Sequence, residues 1–96
     1  MAKKDNSKVN MYKLVVDQVL QNGDKDTVSF TVENKKPSEK DYKIFTKKLN
    51  KFRNNIDDTQ YFHIKSLILG KHDNKKLNTF EDTSKTVESF FNITMN

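Results

Sequence analysis

The fold is decided by residues 37–56, PSEKDYKIFTKKLNKFRNNI, which carry the pattern of an amphipathic helix. Ser38 is the predicted N-cap of this helix, and Asp41, three residues later, completes a variant of the capping box. The apolar residues then recur at steps of three and four and share one face: Tyr42, Phe45, Leu49, Phe52 and Ile56. This spacing predicts a helix of about 17 residues, roughly 25 Å long.

A β-hairpin is predicted before the helix. Residues 11–21, MYKLVVDQVLQ, are rich in β-branched and apolar side chains, and residues 28–34, VSFTVEN, alternate between apolar and polar. The sequence Asn22-Gly23-Asp24 between them supplies turn-forming residues. Two such strands joined by a polar turn are typical of a hairpin.

The chain beyond the helix predicts further strands. Residues 61–70, YFHIKSLILG, have a nearly continuous apolar end and predict the most buried strand. Residues 70–76 are polar and predict a turn, and LNTFED at 77–82 predicts a short fourth strand. The C-terminal segment 83–96 fits either a helix capped by Thr83 or Ser84 or a strand with alternating apolar residues, and the helix is the favoured interpretation.

These elements predict an α+β fold in residues 11–96, a single domain preceded by a disordered polar tail at 1–10. The sheet would be small and antiparallel or mixed, with one amphipathic helix packed on one face. The first and third predicted strands are apolar on both sides, so the opposite face needs a cover as well. Either the C-terminal segment or a second subunit would supply it, and we therefore predict a homodimer.

The order hairpin, Pro-led helix and strand with an apolar end resembles short uncharacterised proteins of low-GC Gram-positive bacteria and their phages. The resemblance covers about residues 11–70 and lies in the pattern alone. It implies this architecture and an origin in a phage or mobile element, and it implies no particular activity.

The positive charge is concentrated in the helix. The chain of 96 residues has a formal net charge of +5, and residues 35–53 alone, with seven Lys, Arg53 and two acids, carry +6. At 100° per residue, one row of lysines lies opposite the apolar face: Lys36, Lys40, Lys43, Lys47 and Lys51. Only one of the 18 basic residues is Arg, a preference for lysine that is typical of AT-rich coding sequence. Such a bias does not explain why the lysines gather in one helix.

The lysine row has three interpretations. It is an ordinary solvated helix face, a surface for the phosphate backbone of nucleic acid, or a surface for an acidic protein. A scarcity of Arg argues against base-specific readout, so nucleic-acid binding would tolerate any sequence. Tyr61, Phe62 and His63 form a candidate stacking platform, although three neighbouring residues on a buried strand are more often core.

The sequence lacks the residues that several classes of functional site require. With no Cys and two Gly, the chain contains no thiolate site, phosphate-binding loop or dinucleotide fingerprint. His63 and His72 are the only imidazoles and are not spaced as a zinc pair. We therefore predict a non-catalytic protein with no cofactor and no metal. The sequence has no apolar run long enough to span a membrane and begins without a secretory pattern, which predicts a cytoplasmic location.

Overall fold

The computed structural model describes residues 11–96 and confirms the α+β class, while the predicted tail at 1–10 lies outside the described residues. The elements in chain order are β1 (Met11–Leu20), β2 (Lys25–Glu33), α1 (Glu39–Leu49), a 3₁₀ helix (Asn50–Asp58), β3 (Thr59–Ile68), β4 (Lys71–Leu77) and α2 (Phe80–Met95). The four strands form one sheet in the order β2-β1-β3-β4, and every neighbouring pair is antiparallel.

The predicted hairpin is confirmed as β1 and β2. Its turn is closed by the side chain of Asn22, whose Oδ1 accepts a hydrogen bond of 2.9 Å from the backbone N–H of Asp24. Gly23 has a φ of 95°, a conformation that side chains with a Cβ rarely adopt. The turn pairs Leu14 with Phe30 and Val16 with Val28, which places the apolar residues of both strands on the same face.

The capping box of α1 is also confirmed. Ser38 Oγ accepts from the N–H of Asp41 at 3.1 Å, and the Asp41 carboxylate accepts from the N–H of Ser38 at 2.9 Å. The α-helix then ends at Leu49, and the chain continues as 3₁₀ helix. Because a 3₁₀ helix has 3.0 residues per turn, the apolar face rotates, and the prediction that Ile56 packs in the core is wrong: its side chain is 40% exposed.

The fourth strand lies earlier than predicted. Residues 71–77 form β4, so the predicted polar turn at 70–76 and the predicted strand at 77–82 are both wrong. Leu69 and Gly70 connect β3 to β4 with φ values of 51° and 86°, as a two-residue type I′ hairpin turn requires. Six of the seven residues of β4 are exposed, because it is an edge strand, and a strand with no buried side lacks the alternation on which the prediction depended.

The C-terminal segment is helical, which confirms the favoured interpretation. Its N-cap is Thr79 rather than Thr83 or Ser84, and Thr79 Oγ1 accepts from the N–H of Asp82 at 3.1 Å. The helix therefore begins at Phe80, whose side chain is 6% exposed and belongs to the core.

Both helices pack on one face of the sheet, which we call the inner face. α1 contacts β2 and α2, and α2 contacts β3 and β4. Phe91 is fully buried at the centre of this layer, and its ring lies 5.2 Å from Phe30, 5.4 Å from Tyr42 and 5.9 Å from Phe45 between centroids. The other face, the outer face, is left open by both helices. The alternative in which the C-terminal segment covers it is wrong, and the homodimer stays a prediction.

Candidate phosphate-binding surface

The structure exposes all five predicted lysines. Lys40, Lys43 and Lys47 lie within α1, on the side opposite the buried Phe45 and Leu49. The row continues into the 3₁₀ helix, where Lys51 is exposed next to the buried Phe52. Exposed Lys48 lies at the C-terminal end of α1 and adds to the same positive region.

Lys36 differs from the other four. It precedes the capping box, and its Nζ donates a hydrogen bond of 2.9 Å to the backbone carbonyl oxygen of Asn96. This contact ties the chain before α1 to the end of α2. Lys36 is therefore part of the positive region by charge, but its ammonium already has one acceptor within the protein.

The lysines of the row carry uncompensated charge. Within residues 11–96, the single ion-pair contact shorter than 4.0 Å joins His63 and Asp17, so none of these lysines has a carboxylate partner there. Nearby Arg53 is directed differently, because its guanidinium carbon lies 5.0 Å from the centroid of the Phe80 ring, in cation–π distance. The region therefore presents ammonium groups, each able to approach a separate anion.

Ile44 interrupts the charge of α1. Its side chain is 46% exposed and, by helix geometry, lies among Lys40, Lys43 and Lys47. An exposed apolar side chain within a charged surface is ordinary by itself. Its position gives the surface one apolar contact point at the centre of the lysines.

A groove of about 470 Å³ separates α1 from α2 and limits the positive region on that side. Glu39 and Glu88 line it from opposite helices. The exposed part of α2 is acidic, with Glu81, Asp82 and Glu88 against Lys85. A polyanion on the lysine row is therefore repelled from α2.

The predicted stacking platform is divided between two faces of the sheet. Phe62 is fully buried on the inner face, so its assignment to the platform is wrong. Tyr61 and His63 lie on the outer face and are half-buried. The Nζ of Lys76, from the neighbouring strand, lies 4.1 Å from the centroid of the Tyr61 ring.

The sequence analysis missed further lysines on the outer face. Lys13 and Lys65 extend from the two central strands, and both are exposed. Alternating lysines in a strand look like ordinary solvent-facing residues, and β4, which supplies Lys76, was interpreted as a turn. The signal that identifies this face is the register between strands, which a single sequence does not contain.

Asp17 is the one strongly buried acid of the outer face, with 6% of its surface exposed. It accepts a hydrogen bond of 2.7 Å from the hydroxyl of Thr27, and the Nδ1 of His63 lies 3.8 Å from its carboxylate. That separation is too long for a hydrogen bond. Asp17 therefore offers little of its carboxylate for direct contact with a ligand.

Among residues 11–96, no three His, Asp or Glu side chains gather as a metal site would require. No helix in this part of the chain is long and apolar enough to cross a membrane. Comparison of the chain with protein-family models, with curated proteins and with solved structures finds no match.

Proposed function

We propose that this chain is a small non-catalytic accessory protein that binds the phosphate backbone of nucleic acid through the lysines of α1 and the following 3₁₀ helix. The observation that supports the proposal is the arrangement of Lys40, Lys43, Lys47 and Lys51, which are all exposed and have no carboxylate partner within residues 11–96. An ordinary solvated helix face usually mixes both signs of charge, whereas this one is positive from Lys40 to Lys51.

The dimensions of the row suit a phosphate backbone. From Lys40 to Lys47 the helix rises about 10 Å, and Lys51 extends the row to roughly 17 Å. One strand of duplex DNA carries a charge about every 3.4 Å along the axis, so the row spans about five phosphates. Flexible lysine side chains can each reach one of them without a fixed register.

The same arrangement predicts binding without base specificity. Base readout in the major groove favours the bidentate guanidinium group, and Arg53 is the only Arg in the chain. Its guanidinium group already lies over the Phe80 ring. Lysines act as point charges and position a backbone without reading the bases.

The alternative partner is an acidic protein surface, and Ile44 favours it. A protein partner can bury this 46% exposed side chain within the surrounding lysines, whereas a phosphate backbone offers it no apolar surface. Ile44→Ser separates the two partners, because it should weaken a protein complex and leave nucleic-acid binding nearly unchanged.

The test is fluorescence anisotropy with labelled random single- and double-stranded oligonucleotides at 50 and 200 mM salt. Four phosphate contacts give a slope of log K against log salt of about −3.6 on duplex DNA, which is roughly 150-fold weaker binding over this range. Lys40→Glu, Lys43→Glu and Lys47→Glu combined should abolish duplex binding and preserve the far-UV circular dichroism spectrum.

The matched control carries Lys71→Glu, Lys75→Glu and Lys85→Glu. These residues are also exposed lysines, and they lie on β4 and α2, outside the row. The control changes the net charge by the same amount and should lose only the long-range part of the attraction. Equal losses in the two triple variants would show that net charge alone drives binding and would overturn the assignment of the site to α1.

A further inference from the structure

The outer face of the sheet is a second exposed surface with its own chemistry. Its central strands alternate inward and outward, and the register pairs Val15 with Lys65 and Asp17 with His63. Both helices lie against the inner face, so no described element covers this one. Among residues 11–96, therefore, no helix or strand separates this face from a partner, whereas the core residues of the same strands lie beneath the helices.

The charge of the outer face is positive. The exposed lysines on it come from all four strands: Lys13, Lys25, Lys65 and Lys76. The carboxylates on the same face are the buried Asp17, held by Thr27, and Glu33 at the end of β2. The exposed charges of the face are therefore mainly positive, and they lie beside the half-buried apolar side chains of Val15 and Leu67.

Two shallow depressions lie along the outer face. One, of about 330 Å³, is lined by Lys13, Lys65 and His72 among others. The second, of about 310 Å³, is lined by Tyr61, His63 and Lys76 among others. Tyr61 and Lys65 are four residues apart on β3 and therefore about 13 Å apart along the strand. Lys76 pairs with His63, which lies between Tyr61 and Lys65 on β3. The face thus combines one aromatic platform with Lys76 beside it and Lys65 further along the strand.

We infer that the outer face binds single-stranded nucleic acid, with a base stacked on Tyr61, the phosphate of that nucleotide held by Lys76 and a neighbouring phosphate held by Lys65, further along the strand. Stacking on an aromatic ring together with a positively charged track is the usual way in which proteins hold single strands of any sequence. A duplex keeps its bases stacked on one another and cannot offer one to Tyr61. The ligand of this face is therefore single-stranded, whichever partner binds α1.

In the free protein, Lys76 occupies the position over the Tyr61 ring that a stacked base would take. Its ammonium nitrogen now lies 4.1 Å from the centroid of the Tyr61 ring. An incoming base takes that place, and the displaced ammonium remains beside the ring, where the phosphate of the same nucleotide can accept its hydrogen bonds. The cation–π contact in the free protein is thus replaced by stacking and an ion pair.

A second copy of the chain is a poorer occupant of this face. Sheets that pack face to face lie about 10 Å apart, so the lysines of two copies would be brought close together. Each copy offers Glu33 as the one well-exposed carboxylate on the face, against four lysines. The charge therefore favours a polyanion over self-association.

The experiment measures binding of a labelled 20-nucleotide random single strand and of a duplex of the same length by fluorescence anisotropy. Tyr61→Ala should weaken single-strand binding about 5- to 150-fold, the loss typical of one stacked base, and leave duplex binding unchanged. Tyr61→Phe keeps the ring and should bind as the parent does. Lys65→Glu with Lys76→Glu should also weaken single-strand binding, and Lys71→Glu with Lys85→Glu serves as the control of equal charge.

Intrinsic fluorescence supplies a second readout, because the chain has three Tyr and no Trp. A stacked base quenches Tyr61, so single strands should quench the parent more than the Tyr61→Phe variant. Unchanged binding by Tyr61→Ala, with equal quenching in the parent and Tyr61→Phe, would overturn the inference.

Different variants and different nucleic acids test the outer face and the lysine row, so one proposal can be refuted without the other. The α1 triple variant tests the lysine row on duplex DNA, and the Tyr61 variants test the outer face on single strands. Light scattering of the same samples tests the other occupant of the outer face. A parent protein that is dimeric and does not bind single strands would overturn the inference.

Discussion

Replacement of Phe91 should test the centre of the fold. Its side chain is fully buried, and its ring contacts aromatic rings from three other positions on β2 and α1 and from Phe90 beside it in α2. Phe91→Ala removes a side chain of α2 that contacts both α1 and the sheet. Truncation of a buried Phe typically lowers the free energy of unfolding by about 3–5 kcal/mol.

That loss is large compared with the stability of a chain of this size. At 0.05–0.15 kcal/mol per residue, the free energy of unfolding of the whole chain is about 5–14 kcal/mol. With a urea m-value of about 1–1.5 kcal/mol/M, Phe91→Ala should lower the unfolding midpoint by roughly 2–5 M. Phe91→Leu retains most of the volume and loses the aromatic contacts, so it should cost about 1–2 kcal/mol and remain folded.

Urea denaturation followed by far-UV circular dichroism measures both variants. Ile93→Ala is the matched control, because Ile93 lies on the same helix two residues away and is 67% exposed. It should change the free energy of unfolding by less than about 0.5 kcal/mol. A cost below about 1 kcal/mol for Phe91→Ala at an unchanged m-value would refute the placement of this ring at the junction of both helices and the sheet.

Three further predictions concern the turns, the caps and the assembly. Ser38→Ala removes the acceptor for the N–H of Asp41 and should lower the free energy of unfolding, measured in urea, by about 1 kcal/mol. Thr79→Ala should have a similar effect through α2. A change below about 0.2 kcal/mol in both variants would contradict the assignment of Ser38 and Thr79 as N-caps. Gly23→Ala should lower the free energy of unfolding by about 1–2 kcal/mol, because a φ of 95° is strained for any residue with a Cβ. No neighbouring atom lies within 4 Å of the added Cβ, so the loss measures backbone strain alone. Asn22→Ala removes the 2.9 Å hydrogen bond from the N–H of Asp24 and provides a comparison within the same turn. The homodimer predicted from the sequence requires a mass of about twice 11.3 kDa by light scattering. The positive charge of the outer face instead favours a monomer, so a dimer at all concentrations would contradict the argument from charge.

The sequence could predict α1 because its signals are local. The capping residues and the spacing of the apolar residues both lie within a few positions of one another. The structure confirms the cap and the apolar spacing as far as Phe52, whereas the predicted length of about 17 residues and the burial of Ile56 are wrong. The 3₁₀ segment after Leu49, in contrast, is held by contacts from a distant strand. Buried Gln18 on β1 donates 2.8 Å hydrogen bonds to the carbonyl oxygen of Phe52 and to the hydroxyl of Thr59. These partners are 34 and 41 residues away, so no local pattern reveals the contact.

The fourth strand was missed for a related reason. Periodicity reveals a strand only when one side of it is buried, and β4 has exposed residues at six of its seven positions. Its pairing with β3 is set by the tight turn at Leu69 and Gly70. A leucine with a φ of 51° is an uncommon turn residue, so Leu69-Gly70 does not match the residue pairs from which such a turn is usually predicted.

The two candidate binding surfaces also differ in whether neighbouring residues of the sequence reveal them. The lysine row could be identified from spacing along one helix. The outer face could not, because its side chains come from strands far apart in sequence and are brought together only by the register. The predicted trio at 61–63 illustrates the limit: consecutive residues of a strand point to opposite faces, so Phe62 could not join Tyr61 and His63 on one platform.

The lysines of the outer face also have an ordinary explanation, which the sheet order allows us to weigh. Edge strands commonly carry lysines that prevent pairing with another chain, and this accounts for Lys25 on β2 and Lys76 on β4. It does not account for Lys13 and Lys65, which lie on the central strands β1 and β3, where both edges of the backbone are already paired. These two central lysines are therefore the more informative pair. Lys13→Gln with Lys65→Gln should weaken single-strand binding while leaving the mass and the unfolding midpoint unchanged, whereas a lysine that only protects an edge would affect aggregation and not binding.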